Sequence, residues 1–398
     1  MYGKNYKSNL PSVAIVGAGI SGLSLAISLC DIGIKSHILE KKDKLSEKGF
    51  GLQISPNASR ILKKIGIIDE LKAVWIEPKE FIFLSGLTLN ELCRIPCKEH
   101  AMSNWNGDYG VVKRSTLQRI LLSKINSQSL AKLHLSTYIK SNSLTEISHI
   151  TNKKIDLLVG ADGVNSNIRK QIDNKPLVFS GHIVLRATIP KNEAPEFIDS
   201  KSVSLFLGAD SHMVTYPLRE DDTINIVAVS SNHFLDKIHL LKENQLNFHN
   251  EYKELFSRKF MNWNNKINNF ITNILHTSFY QLFECKCSRW HNSKDTVLIG
   301  DAAHTFLPFA AQGANMAIED AYLLSRLLKN TNPSEAITKY QNIRAKRINN
   351  IYSRTNFNGL FYHLNGPMRL CRDIALRFGP RSILSKSVDW IYNYNIQI

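Results

Sequence analysis

VAIVGAGISGLSLAISL, residues 13–29, is the stretch whose reading decides the fold. A short β-branched run, SVAIV (12–16), reads as a buried parallel strand. It passes directly into Gly17, Gly19 and Gly22 and then into an amphipathic helix over about residues 20–32. Each glycine has its own duty: Gly17 allows a tight turn, Gly19 lets backbone approach a pyrophosphate, and Gly22 lets the helix close on the strand. Free amides at the helix start then face phosphate charge. SHILE (36–40) supplies a second strand ending at Glu40, where a carboxylate would accept hydrogen bonds from adenosine ribose hydroxyls. This βαβ start predicts a dinucleotide site and fits FAD and NAD equally.

Two further motifs separate them. In VLIGDAAHTFLPFAAQGANMAIEDA (297–321) a strand ends at Gly300-Asp301 and a long apolar helix follows. An aspartate there would bond a ribityl hydroxyl, while amides around Gly313-Ala314-Asn315 would face the pyrimidine edge of a flavin. LLVGADGVNSNIR (157–169) ends another strand at a Gly160-Ala161-Asp162-Gly163 turn. The three motifs in this order predict FAD held along its whole length.

Outward from these landmarks, GLQISPNASRILKKIGI (51–67) reads as a loop and then a helix, with Asn57 as cap and Gly66 as stop. RSTLQRILLSKI (114–125) is another helix, and residues 133–159 carry a strand pair. From about residue 178 the texture changes to alternating strands: HIVLRATIP, SVSLFLG, HMVTYPL and TINIVAVS. A lysine-rich helical stretch (240–275) leads back to TVLIG (296–300), and a helix starts at Asn332-Pro333-Ser334-Glu335 with the features of a capping box. The expected fold is α/β: a Rossmann-type FAD-binding domain (1–177 and 285–398, with C-terminal helices) and an inserted substrate domain (178–284), mainly antiparallel sheet.

The chain has 398 residues and 43% hydrophobic residues, enough for two packed domains. Its formal charge of +16 is spread over scattered lysines without an interleaved aromatic stripe, so no specific nucleic-acid partner is expected. Six cysteines lack zinc-ligand spacing, which predicts reduced thiols, no metal and a cytoplasmic setting. No segment approaches the roughly 18 apolar residues of a membrane span.

GAGISG, GLQISPNASRIL, VVKRSTL, GADGVNS, HMVTYPLR, GDAAHTFLPFAAQGANMAIEDA and the terminal DWIYNY together give the chain a further identity. It resembles, over nearly its whole length, the class A FAD-dependent aromatic-ring monooxygenases of the salicylate hydroxylase-like group. The resemblance implies non-covalent FAD, NADH or NADPH docking transiently, O2, a small phenolic or heteroaromatic substrate, and a monomer or homodimer. It implies hydroxylation through a flavin C4a-hydroperoxide. Epoxidation, or hydroxylation of a polycyclic metabolite or antibiotic, is the alternative on the same fold. A flavin reductase or halogenase and a non-catalytic FAD-binding protein are more distant readings; the halogenase Trp-x-Trp-x-Ile-Pro run is absent.

Position by position, the resemblance puts the Asp162-Gly163 turn near the FAD pyrophosphate, Arg114 at the ribityl-phosphate region and Gln53 beside the flavin and substrate. It gives His212 and Tyr216 the task of orienting and deprotonating a phenol; four residues apart on a strand, they share a face. Pro308 and Phe309 fall against the ring face and substrate, and His304 belongs to the flavin-motif scaffold. Two departures, Thr305-Phe306 after GDAAH and Leu185-Arg186-Ala187 in place of a Trp-Arg-Gly run, lie near the expected substrate cavity.

Overall fold

A computed structural model describes residues 10–45, 49–231 and 245–397. Strand Val13–Val16 is buried at every position, as a central strand of a parallel sheet requires. The sheet has five strands, ordered Thr296–Leu298, Leu157–Gly160, Val13–Val16, Ser36–Leu39 and Ala131–His134, all parallel. Val16 pairs with both Leu39 and Gly160, so the chain segments leaving three strands, with Gly17, Glu40 and Ala161, emerge side by side. Helix Ile20–Cys30 packs on helix Gly313–Asn330. The glycine turn, the 160–163 turn and the 300–315 segment therefore meet at one end of one sheet, where open α/β folds hold their ligands.

Three local expectations are corrected. The strands at 131–134 and 157–160 do not pair with each other; helix Leu144–Thr151 separates them, started by Ser143, which accepts from the Glu146 amide. Residues Gly51–Ile54 form a strand and not a loop, paired antiparallel with Gly110–Lys113. Asn57 is not the cap of helix Pro56–Lys64: Ser55 holds that position, and the Asn57 amide donates to Glu319 (2.7 Å) and Gln312 (3.3 Å). Tertiary acceptors win over the local one. Gly66 (φ 69°) follows the helix, and the Asn332 side chain accepts from the Glu335 amide at 3.0 Å.

The second sheet has eight strands, in the order His304–Thr305, Ser278–Lys286, Val178–Pro190, Thr223–Ser231, Ser211–Leu218, Val203–Leu207, Glu80–Ser85 and Glu91–Pro96. All its pairings are antiparallel except Val203–Leu207 with Glu80–Ser85, which is parallel. The chain thus enters this sheet at residue 80, well before 178, and leaves its last strand at 305. Strand Ser278–Lys286 was not foreseen. Of the expected helical stretch 240–275, residues 240–244 lie outside the described residues, and helices Gln245–Phe260 and Asn265–Asn273 cover most of the rest. Phe256, Phe260, Trp263 and Ile267 close a second core against this sheet.

A buried charge network joins the last two long helices to the Gly300 turn. Arg344, in helix Pro333–Tyr362, is fully buried and bonds Asp320 at 2.6 Å and also Glu319; Arg347 holds Glu319 at 2.7 Å. Asp320 in turn accepts from the Gly300 amide (2.9 Å) and contacts His304 (2.6 Å). Burial opposes ionisation of Asp320, but His304, Arg344 and the Gly300 amide outweigh it and bring its pKa down to about 2.

Candidate active site

A cleft of about 320 Å³ runs between the two sheets, bordered by Gly19, Ser21, Arg114, Gly163, Asp301 and Gly313 among others. Gly17 sits at φ 107°, and a Cβ there would lie 2.5 Å from the Ala161 carbonyl. At Gly22 a Cβ would lie 2.0 Å from the Gly17 carbonyl and 3.2 Å from Ile15 of the strand, so only glycine lets helix and turn meet. Gly19 is different: a Cβ there would touch nothing within 4 Å. It faces free space, at a helix N-terminus with no side-chain cap and no acid in the first turn. Helix Gly313–Asn330 also begins uncapped and without an acid. Two open helix N-termini on one cleft suit an elongated ligand with a pyrophosphate and a second electron-rich edge.

Glu40, at the end of its strand, accepts from the Ala18 amide (2.8 Å) and the Lys42 amide (3.1 Å). These bonds fix its carboxylate beside the glycine turn. Asp301 lies at the cleft floor, open to the cavity but deep within the molecule. Burial raises its pKa above the ordinary carboxylate value, with Asp320 adding to this and His304 and Arg114 opposing it. Arg114 begins helix Arg114–Asn126 directly after strand Gly110–Lys113. Asp162 has another occupation: one oxygen accepts from the amides of Asn167 (2.8 Å) and Ile168 (3.3 Å), tying down helix Asn167–Ile172. Gly163 beside it has φ 77° and open space at its Cβ position. Asn315 is fully buried and its amide is spent on the protein, with Oδ1 accepting from Ser55 and Nδ2 donating to Gln53 and Ala311. Its side chain holds the scaffold and does not border the cleft.

Asp301→Ala is accordingly expected to weaken FAD binding more than Asp162→Ala. A charged hydrogen-bond partner is worth about 1.5–3 kcal/mol, or roughly 10–150-fold in affinity. Flavin titration of the two apoproteins measures it, and equal losses would reverse the ranking.

A second space of about 170 Å³ opens beside the cleft, walled mainly by apolar groups such as Phe83, Leu205, Val214 and Phe309. Gln53, His212, Val214, Pro308 and Ala311 border both spaces. Gln53 Oε1 accepts from the Tyr109 hydroxyl at 2.5 Å, and its backbone carbonyl accepts from Asn315. Pro308 and Phe309 form a short turn whose Phe309 carbonyl accepts from Asn358 at 2.9 Å.

His212 and Tyr216 share strand Ser211–Leu218, but the structure divides them. His212 borders the cavity and the cleft, whereas Tyr216 borders the cleft alone. Tyr216 rests on Gly51, where a Cβ would lie 2.5 Å from its ring. His212 Nδ1 lies 2.8 Å from His363 Nε2, and Phe309 and Tyr362 pack on its ring. Burial, then His363 and His182, push the His212 pKa far below the usual imidazole value. Burial with His182 and Arg372 brings His363 down to about 3. Both imidazoles are neutral at neutral pH, so one donates and the other accepts.

Sequence reasoning missed His363, Tyr109, Arg354, Tyr362 and Tyr392 as lining or supporting residues. Only DWIYNY, which includes Tyr392, carried a signal. That segment is fastened by Trp105 to Asp389 (2.7 Å) and by Arg60 and Arg347 to the carbonyls of Tyr392, Tyr394, Trp390 and Ile391.

The buried imidazoles set a pH dependence. A free imidazole titrates near about 6.5, so below that pH the unfolded chain takes up protons that folded His212 and His363 refuse. Stability should fall by up to about 1.4 kcal/mol per pH unit per site down to the folded value. The Asp320 contribution, present above its unfolded value of 3.8, is lost as pH falls towards about 2. Thermal melts between pH 7 and 4 should show Tm declining throughout; a flat profile would contradict the neutral pair.

The FAD binding domain family model matches residues 11–355. A 3-amino-4-hydroxybenzoate 2-monooxygenase of Streptomyces platensis is 28% identical over 404 residues, covering 97% of each chain. A 3-hydroxybenzoate 6-hydroxylase of Aquipseudomonas alcaligenes is 27% identical, covering 96% of this chain and 97% of its own. A solved salicylate hydroxylase substrate complex shares the fold, with a TM-score of 0.77 at 18% identity over 97% of this chain and 96% of its own. Among the described residues no helix is long and apolar enough to cross a membrane.

Proposed function

Because the chain belongs to the FAD binding domain family, we propose that it is an NAD(P)H- and O2-dependent monooxygenase that hydroxylates a small aromatic ring held in the 170 Å³ cavity. One observation carries this reading: an apolar cavity opens onto the dinucleotide cleft through a shared rim formed by Gln53, His212 and Pro308. Both kinds of relative reported above act, by their names, on hydroxybenzoates.

FAD, when bound, supplies the redox chemistry, taking electrons from NAD(P)H and activating O2. The protein supplies position and dryness. The amides around Gly17, Gly19 and Gly22 would take the pyrophosphate, Glu40 the adenosine ribose, Asp301 and Arg114 the ribityl chain, and the Gly313 helix start the ring edge. His212 accepts the proton of a substrate hydroxyl, which enriches the ring in electrons where oxygen must add. Being neutral it has a ring nitrogen able to accept, although the burial and the neighbouring imidazoles that keep it neutral also lower its basicity. Tyr216 borders the cleft alone and so has no place on the wall of the substrate cavity. The apolar walls exclude the water that would divert oxygen to H2O2. An engineered apolar cavity of about 150 Å³ holds one benzene, so a single substituted ring suits this cavity better than a fused polycycle.

The test is a panel of phenolic and heteroaromatic acids scored for stimulated NAD(P)H oxidation together with product mass. A gain of one oxygen supports the reading. Oxidation that no ring compound stimulates, or that yields only H2O2, would end it.

A further inference from the structure

Helix Gly366–Phe378 is reversed relative to an ordinary surface helix. Its inner side is partly charged: Arg372 is buried and donates to Asp373 and to the Tyr362 carbonyl, each at 2.8 Å. Its outer side is apolar. Leu370, Ile374 and Phe378 follow one another one turn apart, with Met368, Cys371 and Ala375 beside them. At 3.6 residues per turn they span an arc of about 160°. Leu370 is 54% exposed, Ile374 58%, Met368 60% and Phe378 77%. A stripe of this width normally turns towards a core, and exposed apolar patches mark sites of protein or membrane contact. Leu360, near the end of helix Pro333–Tyr362, and Ile383, in helix Arg381–Lys386, are exposed as well and flank the stripe in the chain.

Charge decides between those contacts. Asp373 is the only acid between Glu335 and Asp389, and Arg372 holds it on the inner side. Arg377, Arg381 and Lys386 are exposed around the stripe. Glu91, on the strand beneath, feels Arg381 but is bonded to Arg94. A second copy laid on this face would set arginine against arginine, with no free acid on either side to receive them. An anionic surface would complement both the apolar stripe and its basic rim. The chain's net charge of +16 acts in the same direction.

We propose that this face docks on an anionic phospholipid bilayer. Helix Gly366–Phe378 lies in the plane of the headgroups, and Leu370, Ile374 and Phe378 enter the acyl boundary. The attachment is peripheral, since no described helix is long and apolar enough to cross a membrane. On the inner side, Leu376 packs in one cluster with Leu205, and with Phe83 and Val214 against it, all three of which line the substrate cavity. Docking would therefore bring that cavity to about one helix diameter, roughly 10 Å, from the lipid. The proposal does not depend on the hydroxylation reading.

The experiment measures sedimentation of the holoenzyme with vesicles of phosphatidylcholine, with and without phosphatidylglycerol. Binding should be at least about 10-fold tighter with the anionic lipid, at about five-fold per basic residue near the surface. Ile374→Glu with Phe378→Glu should weaken it by at least about 10-fold, with FAD content unchanged, because both side chains are exposed. Arg377→Gln with Arg381→Gln should weaken it on anionic vesicles alone and stands even where the glutamate variant fails to fold. A polarity-sensitive fluorophore on Cys371, the one exposed cysteine of the six, should shift to the blue when vesicles are added. Vesicles left unbound, equal binding without anionic lipid, or binding that neither double variant weakens overturns the proposal. So does an unshifted fluorophore on bound protein, which would place the contact elsewhere. A wild-type dimer that ignores vesicles and is split by Ile374→Glu with Phe378→Glu would assign the face to a second copy instead.

Discussion

His212→Ala should give a yellow protein that still accepts electrons from NAD(P)H but releases them as H2O2 in place of hydroxylated product. The position of His212 argues for this outcome. It borders the apolar cavity and the dinucleotide cleft, while its Nδ1 is engaged by His363 at 2.8 Å. When Nδ1 donates to His363, the remaining ring nitrogen is a proton acceptor. His212 borders the cleft but is not among the groups framing the glycine turn, so any loss of flavin affinity should be small beside the loss of coupling. Removing a general base commonly costs about 10²–10⁴-fold in the assisted step, far beyond the loss of a packing contact. His212→Gln sharpens the test, because it offers the buried pair a hydrogen-bonding replacement that cannot take up a proton. Product formed per NAD(P)H consumed should fall in both variants. Unchanged coupling would make His212 a packing residue, and the proton would have to leave by another route.

The second large effect is on stability. Arg344→Ala should destabilise the fold by about 3–5 kcal/mol, because it removes from a buried cluster the one arginine bonded to both carboxylates, leaving Glu319 to Arg347 and Asp320 to His304. Domains of this kind have only about 5–15 kcal/mol in total, so the variant should be recovered poorly and melt far below the wild type. The damage should also reach the cofactor. Asp320 fixes the Gly300 amide and His304, and Gly300 precedes the aspartate on the cleft floor. The quadruple replacement Arg344→Met, Arg347→Met, Glu319→Leu, Asp320→Leu removes both arginines and both carboxylates together and should recover part of the stability but not the position of the Gly300 turn. Denaturant melts with parallel FAD titration separate the two consequences. A single variant as stable as the wild type would show that solvent reaches the network.

The parts of the site that were legible in the sequence are those made by short contiguous segments. Gly17 and Gly22 are forced by contacts with Ala161, with Ile15 and within the turn itself, so their spacing is a local signal. Asp301 follows a strand by one turn and reads the same way. Legibility fails where a residue's partner is distant in the chain. Asn57 has the chemistry of a cap, but Glu319, 262 residues on, takes its amide. The backbone amides around Asn315 were the expected contact with a flavin, and the use of its side chain by Ser55 and Gln53 had no local signal. The strand Gly51–Ile54 is too short for its period to show and exists because Gly110–Lys113 lies opposite. Arg354 and His363 carry no motif at all; they matter only because the final helices fold back over the sheet.

The parallel pairing of Val203–Leu207 with Glu80–Ser85 also bears on how such a protein can be cut and recombined. A fragment of residues 178–284 would keep five consecutive strand segments but lose the two that cover one flank. Val203–Leu207, buried along its whole length, would then present an unpaired apolar edge, the kind that templates aggregation. Swapping the substrate half between relatives therefore requires exchanging 80–96 together with 178–284, and a chimera that moves only the longer block would join two incompatible halves of one sheet.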